Sequence, residues 1–181
     1  MKTCCILGLG YIGLPTAAVL ARTGHKVFGV DINKKIVNTI NEGNIHIVEP
    51  DLRDLVKDMV TKRSFSARLQ PCFADVFLIA VPTPLRKKDD KSFPTPDIDY
   101  VKSAVKDITQ YVRPGNLVIL ESTSPVGTTE VIAKILLDES GLSLDELHIA
   151  YCPERVLPGQ ILKELIHNDR IVGGLTSAAS I

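Results

Sequence analysis

Three glycines near the start of the chain have the spacing of a phosphate-binding turn. Gly8, Gly10 and Gly13 form a GxGxxG sequence between an apolar run and a helical pattern. In such a turn the first glycine permits the tight bend, the second lets a pyrophosphate approach the backbone, and the third lets the helix pack against the strand. The N-terminus of the helix then offers free N–H groups and a partial positive charge to the phosphates. The pattern predicts a dinucleotide site, and a glycine turn without a ligand is the alternative.

Asp31 completes this fingerprint. It ends the second predicted strand, 18 residues after Gly13, where a carboxylate accepts hydrogen bonds from the adenosine ribose of NAD. The 2′-phosphate of NADP would meet a like charge there, which at ~4 Å costs from about 1 kcal/mol in water to about 4 kcal/mol at an effective dielectric of 20. Lys34 and Lys35 lie nearby and would reduce this repulsion. We therefore predict NAD as the cofactor in preference to NADP.

Three further polar segments follow predicted strands: VPTP at 81–84, ESTSPVGT at 121–128 and YCPERVLPG at 151–159. The carboxyl ends of parallel strands meet at the sheet edge where doubly wound folds bind ligands. The hydroxyls of the second segment either cap the next helix or contact cofactor and substrate. In the third segment Glu154 and Arg155 stand side by side in a proline-bounded loop, which favours a functional site over a solvated ion pair.

The sequence also predicts the strands and helices that position these segments. Short β-rich runs alternate with longer helical patterns, which is typical of βαβ units and a parallel sheet. We predict strands over 4–7, 26–30, 76–81, 117–121 and 148–151, helices over 11–22, 33–41, 50–61, 100–111 and 128–137, and a final apolar piece at 171–172. Residues 82–96, with four prolines and the charge cluster at 86–91, indicate a solvated surface loop, a lid near a ligand being the alternative. The expected fold class is α/β, a doubly wound, Rossmann-like, mostly parallel sheet with helices on both faces, in one domain over residues 1–181.

Composition narrows the class of protein. A chain of 181 residues can bury one core without disulfides or metals. Lys+Arg and Asp+Glu number 21 each, so no global charge favours nucleic acid or an anionic membrane as a partner. The apolar runs are too short to span a bilayer, and the start lacks the pattern of a signal peptide, so we expect a cytoplasmic protein.

The four cysteines give no reason to expect a metal. Cys4, Cys5, Cys72 and Cys152 form no CxxC pair and no spacing with histidine that suggests zinc. We interpret them as small buried hydrophobic residues in strands.

Taken together, these motifs resemble the UDP-glucose/GDP-mannose dehydrogenase family. The likeness runs from about residue 4 to residue 175 and is carried by the stretches GLGYIGLPTA, VDIN, IHIVEPDL, AVPTP, ESTSPVGTTE, YCPERVLPGQ and ELIHNDRIVGG. ESTSPVG combined with CPERVLPG is specific to the family and is most similar to its N-acetylhexosamine branch, the mannosamine enzymes above all. The resemblance implies oxidation of the C6 alcohol of a nucleotide sugar to a carboxylate with two NAD and one water, through a thiohemiacetal and a thioester on a catalytic cysteine.

The resemblance also implies roles for individual residues. The positions that match NAD contacts of the family are Tyr11, Ile12, Asp31, Thr83 and Thr123. Thr123 also matches a threonine that positions a catalytic water, and Glu154 matches a glutamate with acid/base or water-orienting duty. Arg155 and Val156 match substrate contacts. Where the glucose enzymes carry a second glutamate four residues after the first, this chain has Pro158, which argues against UDP-glucose.

We therefore expect the NAD-binding domain of a UDP-N-acetylmannosamine 6-dehydrogenase of polysaccharide biosynthesis. Family chains are more than twice as long, homodimerise through a central helix, and carry the nucleophilic cysteine, in a GGHC-like segment, and a catalytic lysine in the parts absent here. None of the four cysteines inherits the nucleophile's role, so we expect the isolated chain to be inactive. Two alternatives stay open: UDP-N-acetylglucosamine or another UDP-hexosamine as substrate, and an NAD-binding module with no reaction of its own.

Overall fold

A mostly parallel sheet of seven strands organises the fold. The computed structural model describes residues 1–87 and 93–180. The sheet strands are β1 (Thr3–Leu7), β2 (Lys26–Val30), β3 (Phe65–Arg68), β4 (Val76–Ile79), β7 (Leu117–Leu120), β8 (His148–Tyr151) and β9 (Gly173–Gly174), and β5 (Leu85–Arg86) pairs with β6 (Thr95–Pro96) in a separate hairpin. The strand order is β3-β2-β1-β4-β7-β8-β9, with every neighbour parallel except the antiparallel β8–β9 pair. The order reverses between β1 and β4, and this switch point is where ligands bind in doubly wound folds.

Helices cover both faces of this sheet. They are α1 (Gly13–Arg22), α2 (Lys34–Asn41), α3 (Leu52–Thr61), α4 (Asp99–Ile108), α5 (Thr128–Ser140), α6 (Ile161–His167) and α7 (Ser177–Ser180). In β1 the side chains alternate: Cys4 and Ile6 join a core with α1, α2 and α3, whereas Cys5 and Leu7 join a second core with α4 and α5. A strand buried on both faces explains the continuous apolar run in its sequence. The predicted fold class is confirmed.

The sequence prediction missed six elements of the described chain, namely β3, β5, β6, α6, β9 and α7. β3 is a four-residue strand that pairs only with β2, at the edge of the sheet, and it is too short and too mixed in polarity to show a clear period. The short α6, α7 and β9 were also missed, and the apolar pair at 171–172 lies just before β9 rather than in a strand. The β5–β6 hairpin occupies part of the predicted 82–96 loop, whose residues 88–92, and with them most of the 86–91 charge cluster, lie outside the described residues.

Several predicted boundaries were also wrong. The predicted strand at 76–81 ends at Ile79, and α1 begins at Gly13 rather than at residue 11, because the glycine turn occupies the residues in front of it. α4 ends at residue 108 instead of 111, whereas α5 continues to residue 140 before Gly141 ends it in a left-handed conformation. Within residues 1–87 and 93–180, no helix has the length and apolar composition needed to cross a membrane.

The interpretation of the cysteines holds for only two of them. Cys4 and Cys5 are buried in β1, as expected. Cys72 and Cys152 are half-buried and lie outside the strands, because each sits in a connection that enters or leaves the sheet, where side chains are only partly covered.

Candidate functional site

The turn between β1 and α1 separates glycines that the fold requires from one that it does not. A Cβ on Gly8, whose φ is +89°, would lie 2.5 Å from the Ala80 carbonyl oxygen, and a Cβ on Gly13 would lie 1.9 Å from the Gly8 carbonyl oxygen. A Cβ on Gly10 would meet no atom of the described residues within 4 Å. The open space at Gly10 is therefore unused by the protein itself, and it fits a bound pyrophosphate that approaches the backbone.

The start of α1 is electrostatically prepared for an anion. Ile12, the N-cap residue of α1, gives the helix no side-chain hydrogen bond, and the first turn of α1 contains no acid. The first N–H groups of a helix carry its positive partial charge. In α1 the Leu14 N–H donates to the Gly10 carbonyl oxygen at 3.2 Å and Pro15 has no N–H, so the Gly13 N–H is the group placed to face a ligand. Tyr11 and Ile12 line the cleft in front of this helix end. This part of the cleft thus suits phosphate groups.

Asp31 lies at the end of β2, beside the glycine turn. Its Oδ2 accepts a hydrogen bond from the Leu9 N–H at 3.1 Å, and its Oδ1 accepts one from the Asn33 N–H at 2.8 Å. A carboxylate has about four acceptor positions, so each oxygen keeps one for a ligand. The two backbone bonds hold the carboxylate in place, which suits it to receive two hydroxyls of a ribose.

A cavity of about 370 Å³ adjoins Asp31 on the side towards α4. Its lining is mainly apolar and includes Ile32, Val81, Pro84 and Tyr100. A slot with apolar walls beside a ribose-binding carboxylate is suited to a flat aromatic base such as adenine.

At the other end of the cleft, three residues predicted from different segments lie together. The Thr83 hydroxyl donates to the Thr123 carbonyl oxygen at 2.7 Å, and the Thr123 hydroxyl donates to Glu154 Oε1 at 3.5 Å. Glu154 Oε2 also accepts a hydrogen bond from the Val156 N–H at 3.2 Å. The cleft containing these residues and the glycine turn has a volume of about 370 Å³.

The structure does not bring every predicted residue into this cleft. Arg155 is exposed and lines a separate polar depression of about 380 Å³ with His167, Asn168 and Asp169. Val156 is half-buried, and its N–H rather than its side chain approaches the cleft through Glu154. Neighbours in an irregular loop need not face the same way, so their adjacency in sequence does not place both side chains in one site.

One buried residue of the cleft, Glu121, and its half-buried partner Arg170 were given no role in the sequence prediction. Glu121 is only 1% exposed and lines the cleft, and Arg170 Nη2 donates to its Oε1 at 2.7 Å. The Thr16 hydroxyl donates to Glu121 Oε2 at 3.3 Å. Burial raises the pKa of the Glu121 carboxyl, although the hydrogen bonds from Arg170 and Thr16 act in the opposite direction. Both residues stand in motifs that carried the resemblance, but a contact across 49 residues leaves no local signal.

Glu49 is a second buried carboxylate that the prediction left without a role. It lies between α2 and α3 and reaches the β8–α6 loop (residues 152–160), which carries Glu154. Its oxygens accept hydrogen bonds from the Gly159 N–H at 2.8 Å and the Ile161 N–H at 2.7 Å. It therefore fastens the end of the β8–α6 loop and the start of α6 to the body of the protein. Glu49 stands in the IHIVEPDL stretch of the family resemblance and is a charged residue in the mainly apolar 45–49 segment, and these were the available hints.

This geometry can be set beside known protein families. Residues 2–181 match the UDP-glucose/GDP-mannose dehydrogenase family, NAD binding domain. The chain belongs to this family. NAD is accordingly its cofactor, and the space at Gly10, the uncapped α1 and the held carboxylate of Asp31 fit that ligand.

Several proteins of known name that are similar to this chain are nucleotide-sugar dehydrogenases. The UDP-N-acetyl-D-mannosamine dehydrogenase of Campylobacter jejuni is 53% identical over 180 residues, which cover 95% of this chain and 43% of that protein. The NDP-N-acetyl-D-galactosaminuronic acid dehydrogenase of Ralstonia solanacearum is 49% identical over 187 residues, with 99% and 43% covered. A solved UDP-N-acetyl-mannosamine dehydrogenase of Staphylococcus aureus superposes with a TM-score of 0.91 at 38% identity, covering 98% of this chain and 42% of that one. This chain thus spans about 43% of the length of the curated relatives it matches.

Proposed function

We propose that residues 1–181 form one NAD-binding domain of a UDP-N-acetylhexosamine 6-dehydrogenase whose substrate is UDP-N-acetyl-D-mannosamine. The observation that carries the proposal is the meeting of Thr83, Thr123 and Glu154 at one end of a cleft whose other end is a dinucleotide turn. The reaction is oxidation of the C6 alcohol to a carboxylate with two NAD, for cell-surface polysaccharide. NAD, when bound, supplies the hydride acceptor.

The cofactor is held mainly by backbone and by one carboxylate in this proposal. Gly10 admits the pyrophosphate, the positive end of α1 with the Gly13 N–H faces it, and Asp31 accepts the hydroxyls of the adenosine ribose. Tyr11 and Ile12 contact the cofactor from the rim of the cleft. Phosphate recognition through N–H groups needs no basic cluster, which agrees with a chain of zero net charge.

Thr123 and Glu154 carry the catalytic role that falls to this half of the protein. The Thr123 hydroxyl donates to Glu154, which orients the carboxylate towards the cleft. A carboxylate held in this way can take a proton from a substrate hydroxyl or orient a water molecule. Thr83 contributes by holding the Thr123 backbone and by contacting the cofactor. Arg155 and Val156, whose side chains lie outside the cleft, contact a part of the substrate that extends beyond it.

We place the nucleophile of the reaction outside this chain. Among the described residues that line the cleft there is no cysteine, and Cys4 and Cys5 are buried in β1. A thiohemiacetal needs a thiol beside the reacting carbon. Residues 1–181 alone should therefore bind NAD without turning over a substrate.

A second substrate class is favoured by one observation. The Ralstonia relative, at 49% identity, is named for N-acetyl-D-galactosaminuronic acid, so relatives of this similarity differ in their sugar. UDP-N-acetylglucosamine or another UDP-hexosamine is therefore the alternative substrate. The third candidate, an NAD-binding module without a reaction, does not account for the Thr123–Glu154 pair.

The cellular setting follows from the proposed ligands. UDP-sugars and NAD are cytoplasmic metabolites, so the proposed location is the cytoplasm. The proposed partners are the UDP-sugar and, for the whole protein, a second copy of the same chain. Nucleic acid and membranes are not among them.

Enzyme assays test the proposal in two steps. Purified 1–181 is mixed with NAD and UDP-N-acetylmannosamine while NADH absorbance is followed, and no NADH should form; turnover would disprove the placement of the nucleophile. The protein is then produced with whatever its reading frame encodes beyond Ile181, where we expect a GGHC-like segment. This version should form two NADH per UDP-N-acetylmannosamine. A preference for the N-acetylglucosamine epimer would favour the second candidate, and a frame without such a segment would favour the third.

A further inference from the structure

The segment between α6 and β9 sends one arginine into the body of the site. Arg170 Nη2 donates to Glu121 Oε1 at 2.7 Å and, over a longer distance of 3.4 Å, to the Cys152 carbonyl oxygen. The Arg170 side chain is 27% exposed and that of Glu121 is 1% exposed. One guanidinium thus contacts the segments that leave two neighbouring strands.

The positions of these two acceptors relate directly to the proposed catalytic pair. Glu121 stands two residues before Thr123, and Cys152 stands two residues before Glu154. β7 and β8 are adjacent parallel strands whose last residues lie opposite one another, so both segments leave the sheet at the same edge. Arg170 therefore bridges the bases of the two loops whose tips bring the Thr123 hydroxyl to 3.5 Å from Glu154 Oε1.

Stability alone is a poor reason for this ion pair. A buried pair of charges contributes little net stability compared with packed apolar residues of similar size, because both charges lose their hydration. Both hydrogen bonds come from Nη2, whose two N–H bonds are fixed in the plane of the rigid guanidinium, whereas the N–H bonds of a lysine ammonium rotate freely. The geometry of the Arg170–Glu121 pair is thus better suited to fixing the separation of the two segments than to stabilising the folded protein.

Open space lies beside the guanidinium. Arg170 and Glu121 both line a further cavity of about 200 Å³, distinct from those described above, and Glu121 lines the cleft as well. The arginine side chain therefore has room to leave its position if one acceptor is lost. Because neighbouring atoms do not confine it, its position depends on both hydrogen bonds.

We propose that Arg170 is a positioning residue, which fixes the separation of the loops that carry Thr123 and Glu154. This inference rests on the proposed function, since it concerns the proposed catalytic pair. It assigns to Arg170 no contact with the cofactor or with the reacting atoms.

The test compares two ligands of the purified 1–181 chain. ADP-ribose contains the adenosine, the pyrophosphate and a ribose but lacks the nicotinamide, so its binding depends chiefly on the glycine turn and Asp31. Arg170→Lys should raise the Kd of NAD about tenfold, which equals one lost hydrogen bond of about 1.4 kcal/mol, and should leave the Kd of ADP-ribose within about twofold. A role confined to folding would change both ligands equally or neither.

A double-mutant cycle tests whether Arg170 acts through Thr123. Thr123→Val removes the hydroxyl, so Arg170→Lys should have no further effect on NAD binding in that background. Arg113→Lys is the control, because Arg113 is an exposed arginine that also donates two hydrogen bonds from one nitrogen, in its case to two backbone carbonyl oxygens far from the proposed catalytic pair, and it should behave as wild type. If Arg170→Lys does not fold, Glu121→Gln with Arg170→Met removes both buried charges together and takes its place.

The outcomes distinguish a failure of the role proposed for Arg170 from a failure of the proposed function. Equal weakening of both ligands, unchanged NAD binding, or additivity with Thr123→Val would overturn the role of Arg170 and leave the proposed function standing. Wild-type protein that binds neither NAD nor ADP-ribose would overturn the proposed function, and the inference with it.

Discussion

The substitution Gly10→Ala separates the needs of the ligand from the needs of the fold. A methyl group at this position meets no atom of the described residues within 4 Å, and no positive φ opposes it. The free energy of unfolding should therefore stay unchanged or rise by about 0.4–1 kcal/mol, since alanine restricts the unfolded chain more than glycine does. The same methyl occupies the space proposed for the pyrophosphate, so NAD binding should weaken.

The expected size of this weakening follows from the bonds at risk. A pyrophosphate pushed away from the backbone loses at least one charge-assisted hydrogen bond, worth about 1.5–3 kcal/mol. Because about 1.4 kcal/mol corresponds to a factor of ten, the Kd of NAD should rise roughly 10- to 100-fold. Isothermal titration calorimetry measures the Kd, and urea unfolding followed by circular dichroism measures stability, since the chain contains no tryptophan for intrinsic fluorescence.

Gly13→Ala is the matched control, three residues further on. Its Cβ would lie 1.9 Å from the Gly8 carbonyl oxygen, so α1 must move and the free energy of unfolding should fall by about 1–3 kcal/mol or more. The two substitutions should thus have different effects. Gly10→Ala weakens NAD binding and keeps the stability of the fold, whereas Gly13→Ala lowers the stability of the fold. Undiminished NAD binding by a well-folded Gly10→Ala protein would refute the assignment of this space to the pyrophosphate.

Three further predictions concern other parts of the chain. Asp31→Ala should weaken NAD binding by about 1–3 kcal/mol, because it removes the acceptor of the ribose hydroxyls. It should also reduce the difference in affinity between NAD and NADP, because it removes the charge that repels the 2′-phosphate. An unchanged ratio of the two affinities in calorimetry would remove Asp31 from the site. A hydrogen bond from a neighbouring thiol lowers the pKa of Cys72, whereas burial raises the pKa of Cys4 to about 11. Iodoacetamide at pH 7 should therefore label Cys72 first, as read by peptide mass spectrometry, and faster labelling of Cys4 would contradict this. Glu49→Gln leaves one of two N–H donors, of Gly159 and the buried Ile161, without an acceptor. It should lower the free energy of unfolding by about 1–3 kcal/mol in urea, unlike Glu42→Gln at an exposed position, and equal stability of the two variants would be the contrary result.

Much of the fold was predictable because its signals are local. The strand over His148–Tyr151 has the bounds that the apolar run predicted, and β1 and β2 differ from expectation by one residue at most. The glycine turn is likewise a short sequence whose geometry depends on its own residues. β3 was missed because an edge strand of four residues, with polar Ser66 and Arg68, lacks the apolar run of a buried strand.

The candidate site was predictable only in part, for a physical reason. Thr123 and Glu154 were found through motifs that stand at strand ends, and parallel strands bring such ends together. Other contacts of the site join residues that are far apart in the sequence. Glu121 and Arg170 are separated by 49 positions, and Glu49 and the start of α6 by at least 110. No local period or spacing encodes such a pairing, so these buried carboxylates became visible only in the folded chain.

The central claim is that this chain binds NAD in the cleft between the glycine turn and Thr123. Calorimetric titration of purified 1–181 with NAD and then with NADP tests it most directly. We predict one saturable NAD site per chain with a Kd in the micromolar to millimolar range, roughly that of enzyme ligands in general, and weaker binding of NADP. Absence of NAD binding by the folded protein, or tighter binding of NADP, would contradict the claim.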